Sequence, residues 1–252
     1  LKKLGYKVIL VHFNYGQKGE ECERFAINKL RYLEMFDYKD YEEHDLRNLF
    51  QTDKSMLIDK NIEVSTGTEN DLKGTSAWVS NRNAVFLSYL ITRAEQLILN
   101  NKYDKVYIVS GMSNLSEEGF YGDNSEYFIK SIFESAKYST LVGSRIQYVP
   151  IMQNIMKSEE WILGDKLKFP FQYTVSCDQP RMKDGNIELC NQCGSTLLSK
   201  WASEMAGVKD TRKFYNRKTN LKNMKKKFRG KTKKINTIDI IMRMILPKKG
   251  DY

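Results

Sequence analysis

Apolar residues along this chain recur in two rhythms, and their alternation predicts the architecture. Tyr6-Lys7-Val8-Ile9-Leu10-Val11-His12-Phe13 is a short, nearly continuous apolar run rich in branched residues, the pattern of a buried parallel strand. Asn14-Tyr15-Gly16-Gln17 breaks it, and from Glu20 to Met35 the apolar positions change to helical spacing at Phe25, Ala26, Leu30 and Leu33. Lys39 to Leu46 reads as a second, weaker strand, and Asp53 to Lys73 as a polar loop. Asn83 to Asn100 predicts the clearest helix, with Val85, Phe86, Tyr89, Leu90, Ala94, Leu97 and Ile98 on one wide stripe. Lys105 to Gly111 is a strand ending in glycine, Tyr127 to Ala136 a helix, and Ile146 to Pro150 a strand. Ser158 to Leu167 reads as a short helix with Ser158 as its cap. Strands alternating with helices need crossover connections, so the fold class is α/β, a parallel sheet with helices on both faces.

Beyond residue 172 the texture changes. Cys177 to Cys193 is a loop containing Pro and Gly and bounded by cysteines, and Ser195 to Ala206 is helical. Ile238, Ile241, Met242 and Ile245 then fall at i, i+3, i+4 and i+7, an amphipathic helix over Ile235 to Leu246. Such a helix docks on its own domain more often than on a membrane or a partner. The organisation expected is an α/β domain over 1–172, a cysteine loop and helix over 173–208, and a basic tail over 209–252.

Composition narrows the class. Of 252 residues 41% are hydrophobic, enough for one substantial core with an appendage. No apolar run is long enough to span a bilayer and no secretory leader pattern is present, so the expected location is cytoplasmic. The chain opens on Leu1 and enters its first strand almost at once, which leads us to expect an N-terminal truncation. Charge is concentrated at the other end. The whole chain carries +10, yet Lys209 to Lys234 holds 13 Lys or Arg against the single acid Asp210, leaving −2 for the rest. A run of this kind is a solvated face or arm, or a contact for RNA, another polyanion or a protein partner.

The cysteines are Cys22, Cys177, Cys190 and Cys193. Cys190 and Cys193 form a C-x-x-C, which suits soft-metal or redox chemistry before it suits disulfides. With Cys177 they offer three thiolates for tetrahedral zinc; the fourth ligand is left open among water, Asp178 and none. Cys22 reads as a small buried hydrophobe, and His12 and His44 as structural.

Five segments, in order between Lys7 and Ala206, resemble the 7-cyano-7-deazaguanine synthase family. Phe13-Asn14-Tyr15-Gly16-Gln17 is similar to its strand ending D/N-Y-G-Q, and Val79-Ser80-Asn81-Arg82-Asn83 to its V-P-G-R-N. Ser110-Gly111-Met112 with Tyr121-Gly122-Asp123 resembles its G-x-N…Y-P-D-C-R segment, and Lys157-Ser158-Glu159 its T-K-x-E. Thr174-Val175-Ser176-Cys177 with Cys190-Asn191-Gln192-Cys193 resembles its T-W-S-C…C-x-x-C-x-x-C. The resemblance implies an N-type ATP-pyrophosphatase (PP-loop) fold of the adenine nucleotide alpha hydrolase type. It also implies ATP, Mg2+ and Zn2+ as cofactors and leaves room for a homodimer. The implied reaction joins 7-carboxy-7-deazaguanine and ammonia into the nitrile through an adenylated carboxylate.

Carried onto this chain, the resemblance implies Arg82 and Lys157 as phosphate-binding cations, since a guanidinium forks onto phosphate oxygens and an ammonium supplies a compact charge. The competing reading pairs each with a surface acid. Asp123 is implied for Mg2+ or the ring edge of the deazaguanine, against loop capping. Tyr15, Gln17 and Asn83 are implied at the nucleotide, with Tyr15 equally suited to the core. Gly111 would let a ligand approach closely, or simply turn the chain.

Four departures accompany the resemblance. The phosphate loop S-G-G-x-D-S, which precedes Tyr6 in the family, does not occur among these residues; the fourth cysteine is Thr196; the D-C-R triplet reads Asp123-Asn124-Ser125; and the segment from Lys209 onward has no counterpart. They make a diverged relative a live alternative, such as the proteins of antiphage defence systems that attach a deazaguanine to a protein amine. A tRNA sulfur or lysidine ligase, suited by a basic tail, and a degenerate binding module are the remaining alternatives.

Overall fold

The computed structural model describes residues 1, 5–35, 40–66, 77–112 and 122–215. In chain order they form β1 (Leu10–Asn14), α1 (Glu20–Tyr32), β2 (Tyr41–Asp45), α2 (Arg47–Phe50), α3 (Arg82–Leu99), β3 (Val106–Ile108) and α4 (Glu126–Ser139). Then follow β4 (Ile146–Tyr148), α5 (Lys157–Lys166), β5 (Arg181–Lys183), β6 (Asn186–Cys190), α6 (Gly194–Ala206) and β7 (Lys213–Tyr215). Among the described residues two compact units result: Leu1–Ser80 with Gly164–Tyr215, and Asn81–Leu163.

In the first unit β1 and β2 pair in parallel, Leu10 opposite Tyr41 through Asn14 opposite Asp45, so the chain between them must cross over, and α1 is that crossover. The buried face of α1, Cys22 and Ala26, packs with Ile187 and Leu189 of β6. β6 pairs antiparallel with β5 and parallel with β7. In the second unit β3 and β4 are again parallel, Val106 opposite Ile146, with α4 as the crossover. Its core is Leu87, Ile91, Ala94 and Ile98 of α3, Ile108 of β3, Ile129 and Ala136 of α4, and Ile146 of β4. The expected α/β class with parallel strands therefore holds in both units.

Some expectations need correction. The first strand starts at Leu10 rather than Tyr6, and β3 ends at Ile108, which leaves Gly111 three residues past it. Ser158 does not cap α5. It lies buried inside the helix, while the Glu159 carboxylate accepts the Met156 N–H at 2.9 Å and caps the first turn in its place. The stretch from Cys177 to Cys193 is not only a loop. Asp184 and Gly185 both have positive φ (48° and 69°), which closes the two-residue hairpin between β5 and β6. The basic run does not begin as a solvated arm either. Arg212 is buried, with a forked contact to the Asp210 carboxylate at 2.7 and 2.9 Å and another to Ser199 at 3.0 Å, and β7 follows it. A buried guanidinium needs these partners because desolvation of an unpaired charge is costly. Residues 216–252, including the amphipathic helix expected over Ile235 to Leu246, lie outside the described residues.

Leu87 is fully buried at the centre of the second unit, whereas Leu141 at the end of α4 is 88% exposed. Leu87→Ala should lower unfolding free energy by about 3 kcal/mol. Leu141→Ala should change it by less than about 0.5 kcal/mol. Denaturant titration followed by circular dichroism checks both, and equal effects would contradict this core.

Candidate functional site

The turn after β1 is built from its own side chains. Gly16 takes φ +85°, and the Asn14 carboxamide accepts its N–H at 3.1 Å. Gln17 is buried; its Oε1 accepts the Tyr15 N–H at 2.9 Å, and its Nε2 donates to the Phe13 carbonyl at 3.3 Å and to Glu23 at 2.8 Å. The Gln17 amide is thus committed to holding the turn in shape. Tyr15 is half-buried and meets Phe50 edge-on, centroids 6.0 Å apart.

In the second unit the start of α3 and the turn before α4 come together. Asn81, just ahead of α3, sits in the left-handed region at φ 53°, and Arg82 and Asn83 open the helix. The Asn83 carboxamide donates to Asp123 at 2.8 Å and to Asn124 at 3.0 Å. Two stretches some forty residues apart thereby place a guanidinium, a carboxamide and a carboxylate at one helix N-terminus, where exposed N–H groups favour anions. Lys157, at the start of α5, pairs with Glu160 at 2.8 Å. Gly111 is exposed, and a Cβ placed on it would meet nothing within 4 Å. Ser125, which stands where the family carries arginine, caps α4: its Oγ accepts the Phe128 N–H at 3.1 Å and donates to the Gly122 carbonyl at 2.6 Å.

The third grouping is sulfur. Cys177, Cys190 and Cys193 place all three Sγ atoms within 4.8 Å of one another, the only such metal-capable group among the described residues. Cys177 Sγ lies 3.4 Å from Cys190 Sγ and 3.9 Å from Cys193 Sγ. Backbone N–H groups support all three sulfurs: Cys190 onto Cys177 at 3.2 Å, Cys193 onto Cys190 at 3.4 Å, and Asp178 onto Cys193 at 3.4 Å. The protons are shared unequally. Hydrogen bonds from Cys177 and then Cys193 pull Cys190 far below the usual thiol range, while the donating thiols are pushed up. Three soft donors converging with amide support fit a zinc-class ion. Cys22 differs: burial raises its thiol to about 12, and it lies in the apolar cluster with Ala26 and Leu189. His12 and His44 contribute nothing to the sulfur group.

The geometry defines an α/β protein with a buried three-sulfur site and a polar cluster at a helix start. The chain belongs to the queuosine biosynthesis protein QueC family, whose model matches residues 1–207. It is 31% identical over 218 residues to a 7-cyano-7-deazaguanine synthase of Saccharolobus solfataricus, covering 83% of this chain but 42% of that protein. Proteins of the same name from Carboxydothermus hydrogenoformans and Nitratiruptor sp. are each 32% identical, over 208 and 210 residues, and this chain spans 87% and 88% of them. The chain therefore spans less than half of the first relative and most of the other two. Among the described residues no helix is long and apolar enough to cross a membrane.

Removing the Ser125 hydroxyl leaves the first turn of α4 without its acceptor. Ser125→Ala should cost about 1 kcal/mol of stability, and Ser125→Asp should recover most of it. Thermal denaturation of the two variants decides, and an Asp variant as unstable as the Ala variant would refute the capping role.

Proposed function

We propose that this protein is an ATP-dependent carbon–nitrogen ligase that converts 7-carboxy-7-deazaguanine and ammonia to 7-cyano-7-deazaguanine. The observation that carries this reading is the bond from Asn83 to Asp123 at 2.8 Å, because it joins the two motif segments that the chemistry needs side by side. A carboxylate is a poor electrophile, so it is first adenylated; ammonia then displaces AMP, and a second activation dehydrates the amide. Arg82, at the first turn of α3, is suited to steady the phosphate oxygens by forked hydrogen bonds. Asp123, oriented by Asn83, is suited to hold Mg2+ or the edge of the base. Lys157 is suited to serve the leaving pyrophosphate by exchanging its partner Glu160 for another anion. Tyr15 and Gln17 shape the turn at a strand end, the place where an α/β fold receives its nucleotide; Gly111 would let a ligand approach its own backbone closely. The sulfur site holds Zn2+ through Cys177, Cys190 and Cys193, stabilising the fold.

A second reading has its own support. No Lys or Arg lies between Lys105 and Lys130, so the substrate carboxylate lacks the cation that the family's Arg would bring to this segment, and Ser125 is committed to capping. That substitution suits a diverged relative that passes the deazaguanine to a protein amine.

The test separates the two. A polypeptide carrying the S-G-G-x-D-S segment ahead of Leu1 should consume ATP with the carboxylate and ammonium, releasing AMP and the nitrile more slowly than the Carboxydothermus protein. Ser125→Arg should tighten carboxylate binding in an isotherm relative to Ser125→Ala, which shares its lost cap. Tight binding by the unmodified protein, unchanged by the arginine, would mean that this segment does not face the substrate.

The basic run is proposed to contact RNA or another polyanion. Because β7 and Arg212 belong to the folded first unit, the informative truncation falls after Tyr215 and not at Lys209. Deleting residues 216–252 should abolish retention on heparin or RNA while residues 1–215 still unfold cooperatively on heating. In the full chain, log affinity should fall with log salt by roughly 0.7 to 0.9 for each phosphate contact. Salt-independent binding would leave the run as a solvated arm.

A further inference from the structure

The position three residues after Cys193 is where the sulfur motif continues with a fourth cysteine, and here it is Thr196. Cys193 is the residue ahead of α6, with extended backbone (φ −72°, ψ 154°), and Thr196 falls in the first turn, so its side chain reaches back over the cysteine. Thr196 has no exposed surface. Its Oγ1 lies 3.1 Å from Cys193 Sγ and donates its own proton to the Ser176 carbonyl at 3.0 Å. The direction of that second bond matters. With the hydroxyl proton spent on Ser176, the oxygen turns lone pairs toward the sulfurs. While Cys193 is a thiol it can donate to one of them.

Other donors are poorly placed. Among the described residues no carboxylate oxygen joins the group of three sulfurs, and Asp178 has Oδ1 engaged by the Ser195 hydroxyl at 2.8 Å. Every Cys and His of the sequence is described, and none besides the three belongs to the group. Ligand atoms on a tetrahedral zinc ion stand roughly 3.5 to 3.8 Å apart, from Zn–S near 2.3 Å and Zn–O near 2.1 Å. Cys177 Sγ stands 3.4 and 3.9 Å from the other two sulfurs, and Thr196 Oγ1 3.1 Å from Cys193 Sγ, all within about 0.5 Å of that spacing.

We propose that Thr196 Oγ1 is the fourth donor, making the centre three thiolates and one neutral hydroxyl. The inference rests on the metal reading above and adds what completes the site. A bound zinc ion then leaves the centre with one negative charge less than four thiolates would give it. The hydroxyl is also the donor most easily exchanged, because it carries no charge to hold it.

Cobalt(II), added to the metal-free full chain, is the probe, with visible d–d bands reporting geometry and near-ultraviolet bands counting thiolates. The wild type should show a tetrahedral spectrum with three thiolates, and Thr196→Ser the same. Thr196→Cys should raise the thiolate-to-cobalt intensity by about a third, as a fourth soft ligand is added. Thr196→Val, nearly the same shape without the oxygen, should alter the d–d bands and weaken cobalt binding roughly tenfold or more. A valine variant with unchanged spectrum and affinity would overturn the assignment while leaving the three-sulfur site standing. If the valine variant does not fold, an unchanged thiolate count in Thr196→Cys overturns it equally. Should the wild type bind no cobalt, or bind it as well after Cys190→Ser, the metal reading fails and this assignment falls with it.

Discussion

Three sulfur atoms held within 4.8 Å of one another organise most of the first unit. Cys177 packs against two buried clusters at once, one joining Cys22 and Ala26 of α1 to Ile187 and Leu189 of β6, the other joining Met56 and Val64 to Cys190 and Cys193. Segments distant in sequence therefore converge on one point. Without a cation such a point has to share out protons among its thiols, as the opposed shifts of Cys190 and its neighbours indicate. With one, the charge problem and the packing problem have a single answer, because binding and folding draw on the same contacts.

The second unit relies on apolar packing instead. α3 buries Leu87, Ile91, Ala94, Leu97 and Ile98 along one stripe. That fixes the helix axis and so fixes where its first turn points. Asn83 can bridge to Asp123 and Asn124 only because the stripe leaves the amino end of the helix beside the turn preceding α4. Chemistry at this end is thus set by side chains in the core that never touch a ligand.

Much of this was legible in the chain and some was not, for physical reasons. The long stripe of α3 and the branched residues of β1 announce their elements because burial on a fixed face leaves a period in the sequence. The three cysteines were legible because few structures require that spacing. The β5–β6 hairpin was missed although Asp184-Gly185 is a strong turn signal; the strands around it, Arg181–Lys183 and Asn186–Cys190, are short and lack clear alternation. Arg212 was read as part of a solvated run, since nothing in a row of basic residues tells which one turns inward. Only the fold supplies Ser199 on α6 as its partner. The cap of α5 was placed one residue early, on a serine, where a buried glutamate does the work. The roles of Gln17 and Ser125 as local scaffolding also needed coordinates, because motif positions look alike whether they face a ligand or their own backbone.

The second unit interrupts the first in sequence, with Leu1–Ser80 on one side of it and the segment from Gly164 on the other. A ribosome therefore makes Asn81–Leu163 before it has made the partners of Cys22 and Met56. Until Ile187, Leu189 and Cys190 emerge, the apolar face of α1 and the loop carrying Met56 and Val64 have none of the sheet and sulfur contacts that bury them. Nascent chains in that interval expose unsatisfied hydrophobic surface, the state in which contacts between chains compete with contacts within one. Slow synthesis through residues 164–193 would prolong that exposure.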